Sequence, residues 1–294
     1  MSEVRAPSAA DRAGVDDETA EASAALRPQS VLLVYFGDFV ADEGVLVASS
    51  SVVDLLDRVG VGEAAARATL SRMTRRGLLR RELRGRRAYF GLTEHGLRTV
   101  VGGRTRVRDD GVATTSRWDG AWTVVAFSMP ETWQRERHDL RARLGWAGFG
   151  MVQAGLWVVP RRVDVTAVVD GLGLDDHLRV FEGTPAGPTD AGRLVAEAYD
   201  LDALARRYTG FRGRWADGAP VQAGPDPLVR LVVLGTDWLQ VVRDDPRLPL
   251  DFLPDDWPAV PAETLYRSLL DRLAGPALER FRLGTDVIPD PLRA

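Results

Sequence analysis

Residues Ala65 to Thr93 read "AARATLSRMTRRGLLRRELRGRRAYFGLT". Two periodicities meet in this stretch. Its first half belongs to "GEAAARATLSRMTRRG", Gly62 to Gly77, where Ala66, Leu70 and Met73 recur at i, i+4 and i+7. That is the apolar stripe of a helix laid on a core, and Gly77 ends it. Arg67, Ser71, Arg72 and Arg75 then fall on or beside the opposite face, and Thr69 and Arg76 complete the candidate contacts. In the second half, two short runs of β-forming residues flank "LRGRR", with Gly85 at the turn. This predicts a hairpin with Arg84, Arg86 and Arg87 at its tip.

A small, polar, cationic helix face suits the major groove of double-stranded DNA. Arginine pairs bidentately with guanine, and serine or threonine contacts bases or phosphates. Two helices precede this one. "SVLLVYFGDFV" predicts a mostly buried helix with Pro28 at its start and Ser30 as cap, and Gly44 closes that unit. "SSSVVDLLDRVG" predicts a second, with Ser50 or Ser51 as cap and Gly60 as stop. Three helices followed by a basic hairpin describe a winged helix–turn–helix over residues 27–100. Its third helix would read bases and its wing would grip the backbone or minor groove. A helical hairpin with a solvated arginine face is the plainer alternative. It leaves unexplained why arginines gather on both elements.

Charge is segregated along the chain. The 294 residues carry a formal net charge of -4, yet residues 58–108 hold 14 Arg against 3 Glu, net +11. Residues 1–57 are net -8 and residues 109–294 net -7. The basic segment is the electrostatic footprint expected for a polyanion partner. The chain has no lysine, so every basic residue is an arginine.

Composition also removes functions. With no cysteine there are no disulfides, thiolate metal sites or cysteine nucleophiles. His95, His138 and His177 are far apart and form no ligand spacing, so no metal is expected. There is no Gly-rich phosphate loop, no G-x-S-x-G elbow and no histidine placed to serve a serine, so neither an enzyme nor a cofactor is expected. The pairs Asp175/Asp176, Asp244/Asp245 and Asp255/Asp256 read as solvated turns. No apolar run approaches the roughly 20 residues of a membrane span. The acidic N-terminus lacks a signal pattern, which predicts a cytoplasmic protein without a membrane partner.

Beyond the basic head, residues 1–26 read as a disordered acidic tail and residues 101–115 as a linker. Residues 116–188 predict β-α-β-β-α-β, the ferredoxin-like pattern. "GAWTVVAFSMP" is its first strand, "ETWQRERHDLRARLGWAG" a helix, "FGMVQ" and "LWVVP" a hairpin, "VTAVVDGLGL" a short helix and "DHLRVFEG" the last strand. Residues 189–294 predict a helical regulatory domain. All eight tryptophans lie from Trp118 onward, in the part suited to sensing a small molecule. There "LARRYTGFRGRW", Leu204 to Trp215, interleaves Arg206, Arg207, Arg212 and Arg214 with Tyr208, Phe211 and Trp215. Arginines bind phosphate and aromatic faces stack on adenine, as a coenzyme A thioester requires. The same spacing also fits a helix whose aromatics pack a core. Arg161 and Arg162 are a second candidate for an anionic effector.

These segments together resemble the PaaX-like family of bacterial transcriptional regulators, from Arg27 to the C-terminus. "RPQSVLLVYFGDFV" resembles the family's first helix, and "AARATLSRMTRRGLL" with "GRRAYFGLTEHG" its recognition helix and wing. "RWDGAWTVVAFSMPE" and "LGWAGFGMVQAGLWVVP" resemble its middle domain. "LPLDFLPDDWPAVPAETLY" resembles an aspartate–tryptophan–proline segment of its C-terminal region. The resemblance implies an α+β protein: a winged helix–turn–helix, a ferredoxin-like (Cas2-like) middle domain and a helical C-terminal domain. It also implies a homodimer that represses a catabolic operon by covering promoter DNA and is released by a small anionic effector, an acyl-coenzyme A such as phenylacetyl-coenzyme A. A Cas2-type nuclease would want an acidic ligand at the end of the first strand. That place holds "FSMP", and Asp119, beside Gly120, is expected to shape a turn. The alternative is an acyl-coenzyme A enzyme or carrier with a non-specific DNA-binding module.

Overall fold

Pro28 fixes the backbone angle a first helical turn needs, and the chain uses it there. In a computed structural model, which describes residues 26–108, 118–218, 220, 223–243 and 245–293, helix α1 spans Pro28–Tyr35 and continues as a π-helical turn over Phe36–Val40. Its N-cap is Arg27, so Ser30 lies inside the helix and does not cap it. The acidic tail, except for its last residue, lies outside the described residues.

An unanticipated strand follows, β1 (Val45–Ala48), which leads directly into α2 (Ser49–Arg58). The N-cap of α2 is Ala48, and neither Ser50 nor Ser51 caps it. The strand runs straight into the helix and leaves no cap position for a serine. Helix α3 (Glu63–Arg75) precedes the hairpin β2 (Leu79–Arg84) and β3 (Arg87–Leu92). Helix α4 (Glu94–Arg108) then extends through the first half of the segment expected to be a linker, whose remainder lies outside the described residues.

The middle segment forms β4 (Trp122–Phe127), α5 (Gln134–Trp146), β5 (Gly150–Gln153), β6 (Leu156–Val159), α6 (Val165–Val169) and β7 (Leu178–Gly183). The sheet order is β5-β6-β4-β7 with antiparallel neighbours. This is the split β-α-β arrangement that the sequence pattern predicts. One face packs Val125, Trp157, Val159 and Leu178 with Leu140, Leu144 and Val165 of the two helices. The other packs Trp122 and Val158 with Val195 of α7 (Ala191–Ala198) and with Leu248. Side chains of Asp190 and Asp200 cap α7 and the next helix, α8 (Leu201–Trp215), as carboxylates do at free helical N–H groups.

The remaining elements are α9 (Pro227–Val242), α10 (Ala259–Gly284) and β8 (Val287–Pro289). The chain groups into two units. One holds the residues up to Arg104 with Val221–Asp237 and Leu273–Ala294, and the other holds Thr105–Pro220 with Trp238–Arg272. Helices α4, α9 and α10 therefore contribute to both.

The C-terminal region is not helical throughout. β8 pairs antiparallel with β1, Leu46 opposite Ile288, and completes a sheet of order β2-β3-β1-β8. One face of that sheet offers Val47, Leu79, Phe90 and Leu92 to a core shared with Val31, Leu32, Phe36, Leu56, Leu70 and Met73, all buried. The opposite face carries a small cluster of Leu46, Ala48, Tyr89 and Ile288. Gly91 is required there, because a Cβ at that position would run into the Leu46 side chain. Phe281 of α10 stacks on Phe39 at 5.5 Å. Asp226 caps α9 through Leu228 N–H at 2.8 Å and accepts from Arg58 and Arg280 at 2.7 and 2.9 Å. Burial alone would raise its pKa, but these donors outweigh burial and hold it below the ordinary carboxylate value.

Candidate nucleic-acid interface

Helix α3 buries Ala66, Leu70 and Met73, the predicted stripe, and also Thr69, which is 1 % exposed. Thr69 therefore does not present its hydroxyl to solvent. It donates to Ala65 O at 2.8 Å and accepts from an Arg72 Nη at 2.8 Å. Its place is beneath Arg72, which it orients. The outer face exposes Ala64, Ala65, Ala68 and Ser71 beside Arg67, Arg72, Arg75 and Arg76. Small side chains let a helix backbone come close to a groove floor while the longer arginines reach base edges.

These cations are held to different degrees. Arg67 is paired with Glu63 one turn earlier, at 2.5 and 2.8 Å. Arg76 reaches Gln29 at 3.4 Å. Arg75 has no ion-pair partner among the described residues. Exposed i, i+4 pairs contribute only tenths of a kcal/mol, so Arg67 is exchangeable toward phosphate.

The hairpin turns at Gly85 and Arg86, with Gly85 at φ +60. A two-residue hairpin with glycine first demands that left-handed position. Arg84 pairs with Glu82 at 2.6 Å, and Arg87 with Asp286 at 3.0 Å. Arg86 is exposed and unpaired among the described residues. Sequence reasoning missed two wing residues. Arg81 is exposed and unpaired in the same sense, and Leu83 is 61 % exposed one residue before Arg84. The strand period could have found them: Leu79, Arg81 and Leu83 share one face, which leaves the core before Leu83.

The structure does not unite the α8 cluster into one cage. Tyr208, Phe211 and Trp215 are buried, whereas Arg206, Arg207, Arg212 and Arg214 are exposed. Phe211 lies 5.0 Å from Trp238, and Trp238 stacks on Tyr266 at 4.7 Å. The helical period accounts for the separation, since 204, 208, 211 and 215 form one apolar stripe. Tyr208 and Trp215 are core residues and present no face to a ligand. Arg161 is likewise structural, donating to Ala147 O and Pro246 O at 2.6 Å each, and Arg162 pairs with Glu182 at 2.7 Å. Asp119 accepts from Ala121 N at 2.9 Å beside Gly120.

Asp245 corrects the reading of its pair as a solvated turn. It is 7 % exposed, accepts from the Tyr208 hydroxyl, and takes Arg247 N–H at 2.6 Å. Asp244 lies outside the described residues. Burial pushes the Asp245 pKa above the ordinary aspartate value of 3.8, despite hydrogen bonds and nearby arginines that lower it. The folded state thus binds this proton more tightly than the unfolded one, and stability falls as pH rises from 3.8 through the folded pKa. Asp245→Asn removes that dependence. Urea unfolding between pH 4 and 7 is expected to show the variant gaining on the parent as pH rises. A constant difference would show that Asp245 is charged throughout.

Three family models match the chain. The PaaX-like protein model covers residues 27–96, the PaaX protein central Cas2-like domain residues 115–195, and the PaaX-like protein C-terminal domain residues 199–282. The chain is 25 % identical over 261 residues to the transcriptional repressor PaaX of Escherichia coli strain K12, covering 85 % of this chain and 81 % of that one. It is also similar in fold to the solved structure of the uncharacterized protein Rv0674 from Mycobacterium tuberculosis. That match has 23 % identity and a TM-score of 0.59, over 86 % of this chain and 97 % of the other. The three models match in chain order and together span most of the sequence, so the chain belongs to the PaaX-like family.

Proposed function

We propose that the protein is a transcriptional repressor that reads double-stranded promoter DNA through residues 27–100, acting as a winged helix–turn–helix. One observation carries this reading. The exposed face of α3 is small-residued and lined by Arg67, Ser71, Arg72, Arg75 and Arg76, and a hairpin tipped with Arg84, Arg86 and Arg87 follows it. Helix α3 enters the major groove, and the wing holds phosphate or the minor groove. The E. coli relative, named a transcriptional repressor, supports the same reading.

The remaining assignments follow from this one. Residues 1–26 are a tail and 101–115 a connection, partly helical. Residues 116–188 are the Cas2-like middle domain, and 189–294 carry regulation. The protein works in the cytoplasm as a homodimer whose two heads meet two half-sites. It is not an enzyme. It represses a catabolic operon and is released from DNA by a small anion of the acyl-coenzyme A class. The exposed Arg206, Arg207, Arg212 and Arg214 are the groups on α8 able to meet that anion's phosphates. Effector binding favours the conformation that does not hold DNA.

The test is fluorescence anisotropy with labelled DNA from upstream of the protein's own gene, competed with random duplex. Binding that resists competitor and collapses with phenylacetyl-coenzyme A is the expected result. Binding that resists competitor but ignores the ligand would keep the repressor and remove the effector. Binding no better than to random duplex would overturn sequence reading by α3.

A further inference from the structure

The DNA-facing hairpin is held by a segment nearly two hundred residues away in sequence. β8 is bracketed by two carboxylates, Asp286 and Asp290. The backbone of both joins the ladder: Ala48 N–H donates to Asp286 O, and Asp290 N–H to Gly44 O, each at 2.8 Å. Their side chains meet the hairpin. Asp290, buried, pairs with Arg80 near the hairpin's base. Asp286 lies nearer the tip, where it accepts from Arg87 at 3.0 Å and from the Tyr89 hydroxyl at 3.2 Å.

The two pairs differ in solvent access. Asp290 and Arg80 side chains are 3 % and 20 % exposed, so theirs is a structural pair. Asp286 and Arg87 are 38 % and 74 % exposed. A pair that open to water contributes little to stability, and Arg87 can leave it readily. Asp286 nonetheless places a fixed negative charge at the wing, where incoming phosphates are negative too. Among the wing's cations, Arg87 is neutralised from outside the hairpin, whereas Arg81 and Arg86 carry no partner among the described residues.

We propose that Asp286 is a built-in counterion for the wing: it occupies Arg87 in the DNA-free protein, and a DNA phosphate must displace it. This rests on the reading of the hairpin as a DNA contact. The effect is to hold down the wing's sequence-independent grip, on random duplex and operator alike, because its phosphate contacts carry charge and no base information. Asp286 is thus a positioning residue that sets the wing's net charge and does not itself touch DNA.

Asp286→Asn is the direct test, since the amide oxygen keeps the Tyr89 hydrogen bond and the backbone bond to Ala48 is untouched. In anisotropy at about 0.1 M salt, the full-length variant is expected to bind random duplex about 3–10-fold more tightly. Its plot of log affinity against log salt should steepen by up to about 1. Adding Arg87→Ala should remove the gain. Random-duplex binding that is unchanged or weaker in Asp286→Asn overturns the proposal, as does a gain that survives Arg87→Ala. An independent check leaves Asp286 in place: Arg87→Gln should cost less affinity than Arg86→Gln, and equal costs would also overturn it. A parent protein that binds no duplex at all would instead remove the DNA reading itself.

Discussion

Replacing Arg72 and Arg75 together by alanine is expected to cut discrimination between operator and random duplex about 100-fold. Each good arginine–base contact is worth roughly 1–3 kcal/mol of discrimination, and a tenfold change is about 1.4 kcal/mol. Both residues are exposed on α3, and alanine is the best helix former, so the variant should fold as the parent does. Arg72 is the better ordered of the two, because buried Thr69 accepts a hydrogen bond from it at 2.8 Å. It should therefore carry the larger share. The measurement is anisotropy with labelled upstream DNA, with random duplex as competitor. An unchanged specificity ratio would show that α3 does not lie in the major groove.

The wing supplies the control. Alanine at Arg84, Arg86 and Arg87 should weaken operator and random duplex alike and flatten the salt dependence, because phosphate contacts carry charge and no base information. A specificity loss without a salt-slope change at the wing would exchange the roles of the two elements.

Much of this head was legible from residues 62–93, because two strong periods sit side by side there. The 3.6-residue stripe of Ala66, Leu70 and Met73 and the glycines at 77 and 85 each have a local physical cause. β1 was not legible: "VLVA" is four apolar residues between a turn and a serine run, too short for its period to be told from a helix start. β8 was not legible for a different reason. Three residues of strand form only because β1 offers a free edge, and nothing near Val287 in sequence announces an edge some 240 residues earlier. Thr69 and Tyr208 were misplaced by residue type. Thr69 read as a contact for its hydroxyl and Tyr208 for a ring that could stack on a ligand, yet each satisfies its hydroxyl internally, at Ala65 and at Asp245, and is buried. On the exposed faces, where position follows from helical period alone, the arginines lie where the pattern puts them. The effector residues were the least legible, because a stripe of aromatics at helical spacing is the same signal for a core as for a cage.

Asp290→Ala is expected to lower the unfolding free energy by about 3 kcal/mol, the largest stability effect predicted for a single residue here. Asp290 is 2 % exposed. Its carboxylate takes the Arg80 guanidinium and also Leu292 N–H at 2.9 Å. Truncation leaves a guanidinium that is only 20 % exposed without its main partner. Removing one member of a buried pair typically costs about 3–5 kcal/mol, because the remaining charge stays desolvated. Glu82, which Arg80 also meets at 3.2 Å, keeps part of the interaction, so the lower end is expected. A shift of roughly 10 °C in the melting temperature of the unit containing β8 should accompany it. The double variant Arg80→Met, Asp290→Ala should recover much of the loss, since apolar replacement of both partners removes the stranded charge. Calorimetry on the three proteins decides the matter. A loss under about 1 kcal/mol for Asp290→Ala would mean that β8 is peripheral to the head. A double variant no better than the single one would mean that Asp290 works through the Leu292 turn, not through Arg80. With the expected pattern, the C-terminal strand is a structural component of the sheet that carries the hairpin, and the hairpin's base is set by a residue that no local reading of residues 27–100 could include.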